Sequence, residues 1–414
     1  MFYMPVAIRD EGVYEVDLCS ACGPVDSFEM TAEELCSKVQ DGWFVAGLSD
    51  DEITCFSDIE VYIDYLMTYT ELFCNALLQF SFEPLALKVT LDNPEFFDEQ
   101  TGVYTFPAEF PNLMENGDVE NKDSSGMLEK VRKVVFPKSV EWYHGNLEAF
   151  KNLEELCIPG FTHFCALGVG ELPKLKALDF PDTLTTIEGS VFAHTYIESM
   201  ILPDTVETVE DSAFVDSHIK MLRLPKGLKV IETQLCQGCK ELETVQLPDE
   251  LEIIKWDAFN DCHKLHTITF PTTLTEIGSS AFESSGLTAL DITSEADCLQ
   301  IGDFAFRDCT ELRNVRIKAT KIQLGAYAFY KCTALESVEL LGTLQFDEKA
   351  CFTECSALKE LRLPEGMDGV DTLLQLLPDN PNLTVYIGRN ARNRDAFEKL
   401  LKGFKFTKLV ILDE

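Results

Sequence analysis

KLHTITFPTTLTEIGSSAFESSGL (264–287) and the segment before it, LETVQLPDELEIIKWDAFNDCHKL (242–265), are one phrase written twice. The phrase is Leu-x-x-Leu/Val/Ile-x-Leu/Phe/Ile-Pro, then Leu-x-x-Ile, then Ala-Phe-x-x-Cys or a close substitute. Its anchor position recurs at Pro137, Pro159, Pro181, Pro203, Pro225, Pro248, Pro271, Thr293, Lys318, Leu341 and Pro364. These ten steps cover 227 residues, about 22.7 each, inside the period of leucine-rich repeats. A chain with this period stacks along one axis. Its 414 residues therefore do not have to divide into the two or three globular domains that length alone suggests.

The chemistry of one unit predicts its shape. In Leu-x-x-Leu-x-Leu the last two apolar residues alternate with polar ones, so they share one face of a short strand. Strands of successive coils are expected to pair in parallel about 4.8 Å apart. Proline at the strand end has no N–H and stops the ladder there. The following Leu-x-x-Ile buries a second extended piece. Ala-Phe-x-x-Cys is expected to form one helical or 3₁₀ turn, with the aromatic ring in the core. That ring slot holds Phe192, Phe214, Cys236, Phe259, Phe282, Phe306, Phe329 and Phe352. No coil can bury its apolar side alone, so the coils must stack.

The expected fold is a leucine-rich-repeat solenoid: α/β, mainly parallel β with short helical turns, of about ten or eleven coils. The repeat proper occupies 131–366. Residues 1–84 lack it and are expected to form an α/β N-terminal cap. VYEVDL (13–18) alternates as a strand, Thr31 and Glu34 form a capping box, and 58–80 has apolar residues at helical spacing. Residues 85–130 read as irregular coils with a polar loop insertion. Residues 367–414 read as a small C-terminal cap with helices near 370–377 and 394–403 and strands near 383–387 and 409–413.

The net charge is -37, and residues 1–130 alone carry 27 acidic against 5 basic side chains. Nucleic acid is excluded as a partner, since phosphate binding needs clustered Lys and Arg. No run of eighteen apolar residues exists, so no membrane insertion is expected. The first twenty residues have neither a basic start nor a long apolar run. The expectation is therefore a chain that is not exported, with a cytoplasmic location favoured over the cell surface. ENGDVENKDSSG (115–126) spaces its acids loosely, like a calcium loop, but lacks the glycine and final glutamate that such a loop uses.

Fifteen cysteines are present, and the repeat accounts for most. Cys239, Cys262, Cys309, Cys332 and Cys355 occupy one slot, which holds Thr195, Ser217 and Ser285 in other coils. A slot that accepts Cys, Ser or Thr selects a small, weakly polar group for packing. Cys19 and Cys22 form a Cys-x-x-Cys pair outside the repeat. Cys36 and Cys55 are the only nearby partners and their spacing is irregular, so structural thiols are expected ahead of zinc or redox use. The six histidines have no nucleophile at a recognisable spacing, and no glycine loop cradles phosphate. No enzyme activity, cofactor or metal is expected.

The coil LxxVxLPxxLxxIxxxAFxxCxx, recurring in phase over roughly 131–366, resembles the BspA-like leucine-rich repeat family. The resemblance implies a parallel-strand solenoid with its sheet on the concave side. It also implies a non-enzymatic protein-binding role, or that of a surface adhesin of a bacterium or protist; an activity or metal site hidden in the acidic N-terminal region is a further alternative. A protein partner is expected, and a monomer. The residues free to encode specificity are the outward positions of the strands. Nearest the strand end these are Ile201, Arg223, Gln246, Thr269, Asp291, Arg316, Glu339 and Arg362; two residues earlier they include Ser199, Met221, Thr244, Thr267, Asn314 and Glu360. Ile201 and Met221 beside Arg223 are the expected centre of that face.

Overall fold

The computed structural model describes residues 2–10, 13–20, 23–31, 94–108, 126–143, 147–165, 169–346, 351–363, 366–367, 380, 382–388 and 408–412. The chain divides into two compact units, Met1–Val89 and Thr90–Glu414. In the first unit, VYEVDL lies in the strand Val13–Ser20. That strand pairs antiparallel with Phe2–Asp10 and with Gly23–Thr31. The helices expected after Thr31 and over 58–80, the start of the irregular coils at 85–93 and the acidic stretch 115–125 lie outside the described residues.

In the second unit each coil has three sides. The first side is the Leu-x-x-Leu-x-Leu strand. Val103–Thr105, Lys133–Val135 and Glu155–Cys157 pair in parallel, behind an antiparallel partner, Phe97–Asp98. Ser199–Ile201, Met221–Arg223 and Thr244–Gln246 form a second run. A third run joins Ala289–Thr293, Asn314–Leu324, Ser337–Phe346 and Glu360–Arg362. This row does not end at Pro364. Thr384–Gly388 and Lys408–Leu412 add two further parallel strands, in register Glu360↔Thr384↔Lys408. The second side is the Leu-x-x-Ile piece, which builds its own parallel row, for example Val230–Ile231, Ile253–Ile254, Glu276–Ile277 and Leu299–Ile301.

The residue at the anchor affects how these two rows join; with Thr293 there they stay separate, as Ala289–Thr293 and Leu299–Ile301. In coils ending in Pro203, Pro225 and Pro248 the first strand is three residues long. Where Lys318 and Leu341 replace proline, the N–H is restored. The strands then run on around the corner to eleven and ten residues, Asn314–Leu324 and Ser337–Phe346.

The first row is open at 267–270, and at 176–180 it keeps only a single parallel bridge, Asp179 to Cys157. Both segments place phenylalanine, Phe180 or Phe270, where neighbouring coils place Leu or Ile. Each ring turns edge-on to a core ring, Phe180 to Phe192 at 5.9 Å and Phe270 to Phe282 at 5.7 Å. A lone ring among aliphatic neighbours needs more depth than they do, and its strand lifts from the ladder. Phe136 causes no break, because the adjacent coil supplies Phe106, stacked on it at 4.5 Å.

The third side differs from the expected helical turn. It consists of two overlapping tight turns, with a residue in the left-handed region at every fourth position. Ser190 and His194, Ser212 and Asp216, and Asp257 and Asp261 are such pairs; across the described non-glycine cases φ is 52–61°. A helical turn would spend its N–H groups inside the coil. Here alternate N–H groups point to the next coil instead: Phe192 donates to the Ala213 carbonyl at 2.8 Å, Phe214 to Leu235 at 2.8 Å and Phe259 to Ala281 at 2.7 Å. The side chains at the ring slot stack along the axis. Phe259–Phe282, Phe282–Phe306 and Phe306–Phe329 have centroids 5.2, 5.4 and 5.2 Å apart. At Gly325 the coils approach so closely that a Cβ would sit 2.5 Å from the Asp303 nitrogen.

Phe259 is fully buried in this stack. Phe259→Ala is expected to lower unfolding stability by about 3–5 kcal/mol, measured by urea denaturation; a loss below about 1 kcal/mol would contradict its place in the core.

Candidate functional site

The thiols are the most reactive groups the repeat carries, and their geometry accounts for them. The Sγ of Cys239 donates to the Phe214 carbonyl at 2.9 Å. Cys309, Cys332 and Cys355 donate to Phe282, Phe306 and Phe329 at 3.1 Å each. At Phe214, Phe282 and Phe329 the thiol adds a second hydrogen bond to a carbonyl that already accepts a main-chain N–H of its own turn, from Ser217, Ser285 and Cys332. Ser217 and Ser285 occupy the same slot and lie 3.2 and 3.3 Å from Cys239 and Cys309. Burial pushes the Cys262 and Cys332 thiols well above the ordinary thiol range. Cys239 is shifted down, first by its hydrogen bond with Cys236, and so is Cys309, where burial is outweighed by hydrogen bonds with Cys332 and Ser285. All five thiols are sealed from solvent and serve as packing and hydrogen-bonding groups. Among the described residues no three His, Cys, Asp or Glu side chains are grouped to hold a metal ion. The side chains of Cys19, Cys22, Cys36 and Cys55 lie outside the described residues. No described helix is long and apolar enough to cross a membrane.

What remains is the outward face of the first row. Parallel pairing in register turns single positions into columns. Ser199, Met221 and Thr244 align in one, and Ile201, Arg223 and Gln246 in the next. Farther along, Asp291, Arg316, Glu339 and Arg362 align, as do Asn314 and Glu360 with Ser337 between them. Between the members of each strand pair lies a sealed residue, such as Met200, Leu222, Val315 or Leu361. Thr267 and Thr269 are exposed but join neither column through strand pairing, because the ladder is open in their coil.

The columns are cross-linked by charge. Arg316 bridges Asp291 at 3.2 Å and Glu339 at 3.1 Å. Arg223 donates to the Leu202 carbonyl at 2.9 Å and pairs with Asp204, which Lys226 also reaches at 3.2 Å. Desolvation pushes the Asp204 carboxyl up, but hydrogen bonds from Lys226 and Arg223 outweigh it and hold the group below its ordinary range. Arg362 lies over the Tyr386 ring, 4.8 Å from its centroid. Such exposed pairs contribute little stability; their effect is to hold long side chains in fixed positions on the face.

Ile201 stands apart. It is 57% exposed, the most exposed large apolar side chain among the described residues. Its column partner Arg223 is half-buried, and so is Met221 in the adjacent column. Two other exposed aromatic side chains escaped the reading of the repeat. Tyr196, 38% exposed, stacks on His218 at 4.8 Å. Trp256, 49% exposed, sits at a corner where other coils carry Asp211, Thr233 and Ser279. An aromatic in a slot otherwise held by small polar residues was a readable signal.

A family model for the BspA type leucine rich repeat region matches six copies, over residues 171–288 and 275–373. Among solved structures, the chain is similar to a leucine-rich repeat protein from Bacteroides ovatus, with 18% identity, a TM-score of 0.47, and coverage of 75% of this chain and 92% of that one. It is also similar to the pneumococcal vaccine antigen PcpA, with 16% identity, a TM-score of 0.40, and coverage of 76% and 80%. A leucine rich cell surface protein from Faecalibacterium prausnitzii aligns at 17% identity with a TM-score of 0.29, covering 75% and 90%. No curated protein matches the chain.

The burial pattern predicts an order of thiol labelling. In the native protein a maleimide is expected to modify the half-buried Cys157 and Cys298 well before the buried Cys262, Cys332 and Cys355. The latter should react only in urea, as read by peptide mass spectrometry.

Proposed function

The chain belongs to the BspA-type leucine-rich repeat family, and from that premise we propose that it is a non-enzymatic scaffold that binds a protein partner across the first-row strand face. The observation that carries this reading is the exposure of Ile201 at the side of a charged, fixed array. Everything that recurs in the coil is spent on packing or inter-coil hydrogen bonds. The outward columns are the part of the repeat that varies without cost to the core. An apolar side chain in register with Arg223, which is itself paired with Asp204, has the make-up of an interface centre: apolar contact supplies affinity and the neighbouring charges supply orientation. The strong negative charge of the chain favours partners that are neutral or basic.

The test is recovery of the partner by affinity capture with cross-linking, followed by variants measured against that purified partner. Ile201→Glu and Met221→Glu are expected to leave the melting temperature nearly unchanged and to weaken binding at least about a hundredfold, the scale of an interface hot spot. Gln300→Glu, on the second row, should bind as the parent does. Unchanged affinity in both first-row variants would place the interface elsewhere.

A further inference from the structure

The first interruption of a flat sheet is a disturbance; the second has depth. From Ser199–Ile201 to Thr244–Gln246 the first-row ladder is closed. Between Thr244–Gln246 and the segment 267–270 it opens into a cavity of about 370 Å³. Main-chain bonding runs up to the Leu224 N–H on the Gln246 carbonyl, at 3.2 Å. Among the described residues no main-chain hydrogen bond joins 244–247 to 267–270, nor 267–270 to the following strand Ala289–Thr293. Donors and acceptors that are spent on the ladder elsewhere are therefore available here, beside the cavity. Its floor is apolar, made by Val245, Leu247, Phe270 and the two prolines Pro248 and Pro271. Val245 and Phe270 keep 7% and 8% exposure, whereas Leu222 in the closed part of the row keeps none. The rim holds charges of both signs, Lys226 and Asp249. Arg223, Gln246 and Thr269, all on the outward face, also line it.

We propose that this opening is a binding site for an extended peptide segment carrying one large apolar side chain. The side chain enters the floor, and the flanking peptide groups hydrogen-bond to the unpaired main chain of 244–247 and 267–270. An extended segment presents N–H and C=O groups at the spacing a strand offers. The two cations of the rim, Arg223 and Lys226, are both paired with Asp204, and with Asp249 also present the lining suits a neutral main chain. The volume accommodates one aromatic side chain with its peptide groups, not a folded element. This site deepens the scaffold reading, on which it rests for its partner class, by naming a place on the face where a partner residue can be enclosed.

The probe is N-acetyl-L-phenylalaninamide, which has one ring between two peptide groups. The controls are N-acetylglycinamide, with the peptide groups alone, and toluene, with the ring alone. Binding to the full chain is followed by methyl-resolved NMR at Val245, Leu247 and Thr269. The expected result is saturable binding of the capped phenylalanine, with each control weaker by about tenfold or more. Phe270→Leu restores the residue type of neighbouring coils and should close the ladder. It is expected to keep or raise the melting temperature and to lose at least about tenfold in probe affinity. Gln246→Trp, which fills the opening from an exposed rim position, should cause the same loss. Toluene binding as tightly as the capped phenylalanine would overturn the peptide assignment. No saturable binding to the parent, or full binding by both folded variants, would overturn the site. Loss of partner binding in Ile201→Glu alongside a silent probe leaves the face reading intact and removes only this one; the reverse pattern does the opposite.

Discussion

Every coil of the second unit depends on its neighbours for its main-chain hydrogen bonds. On the first and second sides the bonds are those of parallel strands. On the third they come from alternate N–H groups turned outward by left-handed residues, as when Phe306 donates to the Ala328 carbonyl at 2.8 Å. A buried N–H or carbonyl left unpaired costs on the order of 1–3 kcal/mol. A single coil would leave most of its groups in that state. The stack is the smallest arrangement that satisfies them, and it also buries the Phe ladder.

This requirement sorts the sequence into constrained and free positions. The slot before the core ring is filled by a sealed apolar residue, Ala in most coils and Val191 or Leu235 in two, and in each case the ring residue's N–H reaches the next coil. The cysteines of the Cys, Ser or Thr slot supply a second, side-chain donor to turn carbonyls of the preceding coil, as Cys239 does to Phe214. Residues such as Ser190, Asp257 and Ser280 occupy left-handed positions, and short polar side chains tolerate that conformation better than bulky ones. Phe304 and Tyr327 depart from this pattern in two successive coils, where their rings stack at 5.5 Å. The outward strand positions carry none of these duties, which is why they differ from coil to coil and why a binding reading falls on them.

Proline illustrates how one atom governs the outline of the coil. With Pro203, Pro225 or Pro248 at the anchor, the two strand rows are separate short pieces. With Lys318 or Leu341 there, they fuse into long continuous strands. Phenylalanine in the last inward slot has the opposite effect. It lifts the strand, and at Phe270 it leaves a cavity beside the open ladder. Regularity in the leucine positions thus sets the frame, while departures at single slots set its local openings.

By itself the sequence determined the period, the parallel strand rows, the core rings, the packing role of the thiols and the columns of outward residues, because each follows from local alternation and from slots repeated in phase. Ser199, Ile201, Met221 and Arg223 were legible as face residues for that reason. Only the tertiary structure decided how the third side is built, since left-handed turns and helical turns both satisfy Ala-Phe-x-x-Cys and the choice rests on where the next coil presents its carbonyls. It also decided that the strands expected near 383–387 and 409–413 extend the first row in parallel, and that Thr267 and Thr269 stand beside a break in the ladder. That break depends on whether the adjacent coil offers a matching ring, as Phe106 does for Phe136 and no residue does for Phe270. Fit between neighbours in the stack is a property of pairs of coils, and a single repeat does not record it.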